Sequence, residues 1–101
     1  MQFAVHEYSA GGASRLVVVV QSDIIETPGR VVAIPLASAE DFSGTFSREL
    51  FPVVTVDGAR YRVLTPDLAS VQEKRLGAAV GNLRDDETEI KNAINLLFWG
   101  I

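Results

Sequence analysis

Pro52-Val53-Val54-Thr55-Val56-Asp57-Gly58-Ala59-Arg60-Tyr61-Arg62-Val63-Leu64 is the stretch that decides the fold class. Two β-rich runs, residues 52–56 and 60–64, flank Asp57-Gly58. That dipeptide tolerates the positive φ of a tight turn, so the stretch predicts an antiparallel hairpin. Its neighbours extend the pattern on both sides. Residues 3–8 alternate as a strand, and residues 9–14, with Gly11-Gly12, read as a loop or hairpin tip. Residues 15–21 are β-branched and nearly all apolar, which suggests a strand buried on both faces, with a subunit interface as one possible cover. Thr27-Pro28-Gly29 reads as a turn, and residues 31–36 as a short strand with Pro35 near its end. Residues 37–49 read as a loop with a little helix or strand. Thr65-Pro66-Asp67 turns the chain again, and residues 69–76 make a weaker strand candidate.

From Arg84 the period becomes helical. Ile90, Ala93, Ile94, Leu97 and Ile101 fall on one face, at i, i+3, i+4, i+7 and i+11. Asp85, Asp86, Glu87 and Glu89 crowd the first turn, where negative charge complements the helix dipole and Asp can cap. Gly100 stands where a helix-ending glycine would. The expected fold is α+β: a compact antiparallel β-sheet or SH3-like barrel closed by one C-terminal α-helix, residues 1–101 forming one domain.

Composition narrows the function. Hydrophobic residues make up 48% of 101 positions, and mean hydropathy is +0.20. No apolar run approaches the roughly 20 residues of a membrane span. The N-terminus lacks the basic and apolar regions of an export signal, so the expected location is the cytoplasm. Such apolar content in a small chain is most simply absorbed by a dimer interface. There is no cysteine and one histidine, His6, which excludes disulfides, thiolate metal sites and histidine-held zinc. The formal charge of −4 repels phosphate backbones, so direct nucleic-acid binding is not expected.

Catalytic chemistry is missing. A serine nucleophile needs a base, and His6 sits in a strand with no motif around it. Gly11-Gly12 is no phosphate loop. Asp85-Asp86-Glu87 suits a solvated helix start better than a cation site. Arg60 and Arg62 share a strand face and form an anion site or, on the preferred reading, solvated positions. No cofactor and no metal is expected. Two apolar features stay unexplained: the tail Phe98-Trp99-Gly100-Ile101 and the pair Ile24-Ile25 between Asp23 and Glu26. Tail and loop alike are core or partner surface.

Residues 20–30 (VQSDIIETPGR), 34–39 (IPLASA), 47–50 (SREL), 89–96 (EIKNAINL) and 98–101 (FWGI) resemble the CcdB family, the toxins of CcdA/CcdB toxin–antitoxin systems. Met1-Gln2-Phe3, Asp67 and Ala69-Ser70-Val71 belong to the same match, which runs end to end. The resemblance implies an antiparallel β domain related to MazF- and Kid-type toxins, a symmetric homodimer, and a role in plasmid maintenance. It implies binding to the DNA gyrase A subunit and trapping of the cleaved gyrase–DNA complex, without covalent chemistry. Its gyrase face would comprise Ser22, Ile24 and Ile25 in the loop, Glu87 and Asn95 on the helix, and Phe98, Trp99, Gly100 and Ile101 at the end. A CcdA-like antitoxin would contact Tyr8, Ser9 and Ala10, with Phe42, Ser43, Gly44 and Thr45. The chain departs from the family pattern in the uncharged loop 9–14, at Val19 and Gln72, and at Thr88 near the helix start. The alternatives are a non-toxic homologue that keeps the dimer and antitoxin binding, or a MazF/Kid-type ribonuclease on the same fold.

Overall fold

The computed structural model describes residues 1–42 and 46–101. Seven strands precede one helix: β1 (Ala4–Ala10), β2 (Ala13–Val19), β3 (Arg30–Ser38), β4 (Val53–Val56), β5 (Ala59–Val63), β6 (Ala69–Gln72), β7 (Leu76–Asn82) and α1 (Glu87–Trp99). The sheet runs β4-β5-β3-β2-β1-β7, with β6 on β3. Every pairing is antiparallel. The sheet curls into a half-barrel whose edge strands return towards each other. A Cβ placed on Gly81 of β7 would stand 3.3 Å from Val56 Cγ1 of β4. The α+β class with one terminal helix is as the sequence predicts.

The deciding hairpin forms as expected. Val53↔Arg62 through Val56↔Ala59 are paired across a turn with Asp57 at φ 49° and Gly58 at φ 80°. Two positive φ values in succession match the right-handed twist of the flanking strands, which a common turn would splay apart. Elsewhere the boundaries shift. The first hairpin tip is only Gly11-Gly12, because pairing continues to Ala10↔Ala13. Pro35 lies inside β3 rather than near its end, at the point where β3 leaves β2 and joins β5. There its missing N–H costs no ladder bond that the strand needs. Residues 69–76 are not one strand: β6 stops at Gln72, a 3₁₀ turn Glu73–Arg75 follows, and Leu76 opens β7. The Gly/Ala-rich run Leu76-Gly77-Ala78-Ala79-Val80-Gly81-Asn82 carries almost no strand propensity, and its pairing with β1 makes it a strand.

The core is one cluster in which Phe3, Val5, Val18, Ile34, Leu36, Val54, Val56, Val63 and Leu83 meet Ile90 of α1. Val17, Val18 and Val19 are all buried, so the second half of β2 is covered on both faces as the apolar run predicts, while its first half, including Arg15, is exposed. Phe3 has φ 67°, an uncommon value for a residue with a side chain. It is held there by Phe3 N–H donating to the Val19 carbonyl at 2.6 Å and Leu83 N–H donating to the Phe3 carbonyl at 2.7 Å. On α1, Ile90 and Ala93 are buried and Ile94 packs against the core. Leu97 is only half-buried and Ile101 is exposed, so the apolar stripe leaves the core before the helix ends.

Candidate functional site

The tail is a surface. Gly100, at φ 71°, donates its N–H to the Leu96 carbonyl at 3.0 Å and ends the helix in the left-handed conformation that glycine adopts without steric cost. Phe98 and Trp99 on the last turn have ring centroids 6.5 Å apart. Trp99 is 73% exposed, Phe98 56% and Ile101 91%. Among the described residues none closes over them. Asn95, one turn earlier, is exposed as well.

Ile24 and Ile25 are a second exposed apolar pair, on a loop that is built rather than loose. Ile25 N–H donates to the Ser22 carbonyl at 3.1 Å, and Ile24 N–H to Ser22 Oγ at 3.3 Å. Gln21 spans the loop's base: its Nε2 donates to the Ile25 carbonyl and to Thr27 Oγ1, both at 2.9 Å, while its Oε1 accepts from Val32 N–H at 3.1 Å. The isoleucines are displayed because the loop's polar groups are occupied with one another.

A polar ribbon ties this loop to the start of α1. Asp23 accepts from Gln2 N–H at 3.0 Å and pairs with the N-terminal amine at 3.3 Å. The Gln2 amide, then the amine, hold the Asp23 carboxyl below its ordinary range. Arg84 Nη2 donates to the Gln2 carbonyl at 3.2 Å, and Arg84 Nη1 lies 3.6 Å from Glu87. Glu87 also pairs with Lys91 one turn on; that hydrogen bond and the neighbouring cations hold its carboxyl low. The loop that carries Ser22, Ile24 and Ile25 is thus linked to Glu87 through Asp23, Gln2 and Arg84. Trp99 is twelve residues beyond Glu87 on the helix, about 18 Å along its axis. Within one chain the gyrase-face candidates fall into two patches at opposite ends of α1. The roles of Met1, Gln2 and Arg84 in holding the loop could not be read from the sequence, because their partners include ones 21 and 82 positions away.

Asp86 occupies the helix N-cap without making a side-chain cap bond, contrary to the expected capping. Partial burial, with Glu89 and Asp85 nearby, pushes its carboxyl up. His6 lies on β1, paired with Val17 and Ala79, its Nδ1 2.9 Å from the Gly77 carbonyl, with no nucleophile bonded to it among the described residues. Among the described residues no group of three His, Cys, Asp or Glu is arranged to hold a metal ion. No helix there is long and apolar enough to cross a membrane.

Of the antitoxin-side candidates, Tyr8, Ser9 and Ala10 end β1 at the exposed first hairpin, with Tyr8 paired to Arg15 and Leu76. Phe42 follows the end of β3, and since β1 and β3 run the same way these two segments share one end of the sheet. Phe42 is half-buried, its ring 5.2 Å from Phe46 and 5.5 Å from Phe51. Ser43, Gly44 and Thr45 lie outside the described residues. Arg62, expected to be solvated, is partly buried instead. Its Nη1 donates to the Phe51 carbonyl at 2.7 Å, and its guanidinium sits 4.6 Å from the Phe46 ring centroid.

Comparison with known proteins bears on the fold and the family. A solved structure described as an endoribonuclease in complex with its cognate antitoxin, from a mycobacterial species, superposes with a TM-score of 0.72 at 13% identity, covering 94% of this chain and 90% of that one. At that identity the likeness concerns the fold. The family model described as CcdB protein matches residues 2–100, and the chain belongs to the CcdB family.

Proposed function

We propose that the protein is a CcdB-type toxin that acts by binding: it engages the DNA gyrase A subunit and traps the cleaved gyrase–DNA complex. The observation that carries this reading is the exposed aromatic tail, with Trp99 73% exposed on a capped helix end. A small domain that leaves Phe98, Trp99 and Ile101 in water gives up burial free energy of about 1.5–3 kcal/mol per large side chain, a loss a partner surface restores. Trp is the residue most enriched at binding hot spots, and an arginine of the partner stacks on its face through cation–π attraction. The two patches at opposite ends of α1 are then reconciled by a two-fold homodimer, in which both tails stand near the axis and the two loops flank them. A CcdA-like antitoxin, contacting the end of the sheet with Tyr8–Ala10 and Phe42, would compete with or dislodge gyrase.

The test is a gyrase cleavage assay with purified protein, gyrase, ATP and supercoiled plasmid, quenched with detergent and protease. Linear DNA is expected with the wild-type chain and not with Trp99→Ala. Absence of linear DNA from the wild type, with a quinolone control working, would remove gyrase poisoning and leave the non-toxic homologue. Because the fold is shared with an endoribonuclease, a parallel incubation with RNA reads the other alternative. Intact RNA is expected, since the chain offers one imidazole and a net charge of −4.

A further inference from the structure

Strand β5 alternates: Tyr61 and Val63 turn to the core, and Arg60 and Arg62 stand on the opposite face. Beside them lies an open cleft of about 340 Å³ lined by Arg48, Pro52, Val53, Arg60, Arg62 and Glu89. A chain with 9 Lys and Arg against 13 Asp and Glu has therefore placed three cations around one cleft. Among the described residues none of the three makes an ion pair, with Glu89 or any other carboxylate. Arg62 is the fixed member. The Phe51 carbonyl and the Phe46 ring hold its head, and its Nε is buried with no acceptor among the described residues. A buried cationic N–H without a partner is costly, and a guanidinium already held in place loses little freedom when it accepts a ligand.

We propose that this cleft docks an acidic segment of a protein partner, with carboxylates seated on Arg48, Arg60 and Arg62. Peptide is favoured over nucleic acid by the surroundings. Glu89 on the rim and the acidic surplus of the chain oppose a continuous phosphate backbone. Spaced carboxylates avoid that repulsion, and Pro52 and Val53 give an apolar stretch of peptide a contact. Arginine is also the side chain whose planar fork best matches a carboxylate. This cleft is separate from the tail and the isoleucine loop, so it stands whether or not gyrase is the target.

A fluorescently labelled decapeptide in which glutamate alternates with alanine, titrated with the full chain and followed by anisotropy, tests it. Saturable binding is expected, weakening as salt rises to about 150 mM. The double variant Arg48→Glu/Arg60→Glu should lose roughly tenfold or more in affinity. Both positions are exposed, so the fold should survive; circular dichroism checks this, and Arg48→Gln/Arg60→Gln replaces the reversal if it unfolds. Arg48→Lys/Arg60→Lys should keep most of the binding, and Trp99→Ala all of it. The proposal is overturned by a wild type that does not bind, by a charge-reversed variant that binds as well, or by deca-uridylate RNA binding more tightly than the peptide.

Discussion

At the scale of the residue, exposure separates side chains kept for partners from those kept for folding. Trp99→Ala should change unfolding free energy by no more than about 0.5 kcal/mol, because a side chain 73% exposed takes little from the core. Chemical denaturation measures it, and a larger loss would tie the tail to the fold. Thr65 is the opposite case: fully buried, with no partner for its Oγ1 among the described residues. Thr65→Val keeps the shape and removes the unsatisfied hydroxyl, so the expected change lies between neutral and about 1 kcal/mol of stabilisation. Asp86 carries a sign that pH reveals. Its folded carboxyl is raised above the ordinary value of 3.8, chiefly by desolvation. Between that value and the raised one the folded chain binds the proton better, so this group's contribution to stability falls as pH rises through the window. Asp86→Asn should therefore stabilise at neutral pH, by less than about 1 kcal/mol because the carboxyl is only partly buried and solvent still screens it. The difference should vanish in acid, below the ordinary carboxylate range, in melts of the two proteins across pH.

At the scale of the element, α1 divides its work along its length. The sequence placed Ile90, Ala93, Ile94, Leu97 and Ile101 on one stripe, and the stripe is real, but the sheet covers only its first half. Ile90→Ala should cost about 2–5 kcal/mol by opening a cavity beneath the helix. Leu97→Ala should cost less than about 2 kcal/mol, since that side chain is only partly buried and lies outside the core cluster. Equal losses in paired denaturation curves would mean that the helix end is as buried as its start. The same division explains the loop at residues 22–25. Its position rests on the carboxylate of Asp23 between the Gln2 amide and the N-terminal amine, a link that weakens as pH falls through the lowered Asp23 value.

At the scale of the molecule, the proposed two-fold arrangement of the tails calls for a second copy of the chain. Ile24, Ile25, Val80, Phe98, Trp99 and Ile101 are all open to water in one chain. A homodimer makes the melting temperature rise with protein concentration, because association stabilises only the folded state. Sedimentation should then report twice the 10.9 kDa of the chain. A melting temperature independent of concentration, with a species of 10.9 kDa, would leave a monomer and remove the two-fold arrangement of the tails.

The sequence alone determined what is local. Asp57-Gly58 specified its hairpin because few residues take two positive φ values, the valine run of β2 announced burial on both faces, and the helical period and Gly100 marked α1 and its end. The tail and Ile24-Ile25 were also legible, as apolar groups in places where chains are usually polar. Only the tertiary structure decided what depends on neighbours distant in the chain. Leu76–Asn82 is a strand because β1 pairs with it, and Arg62 is fixed because Phe46 and Phe51 close over it. The isoleucine loop is set by Arg84 and the N-terminus. Burial and register belong to pairs of segments, and periodicity within one segment does not contain its partner.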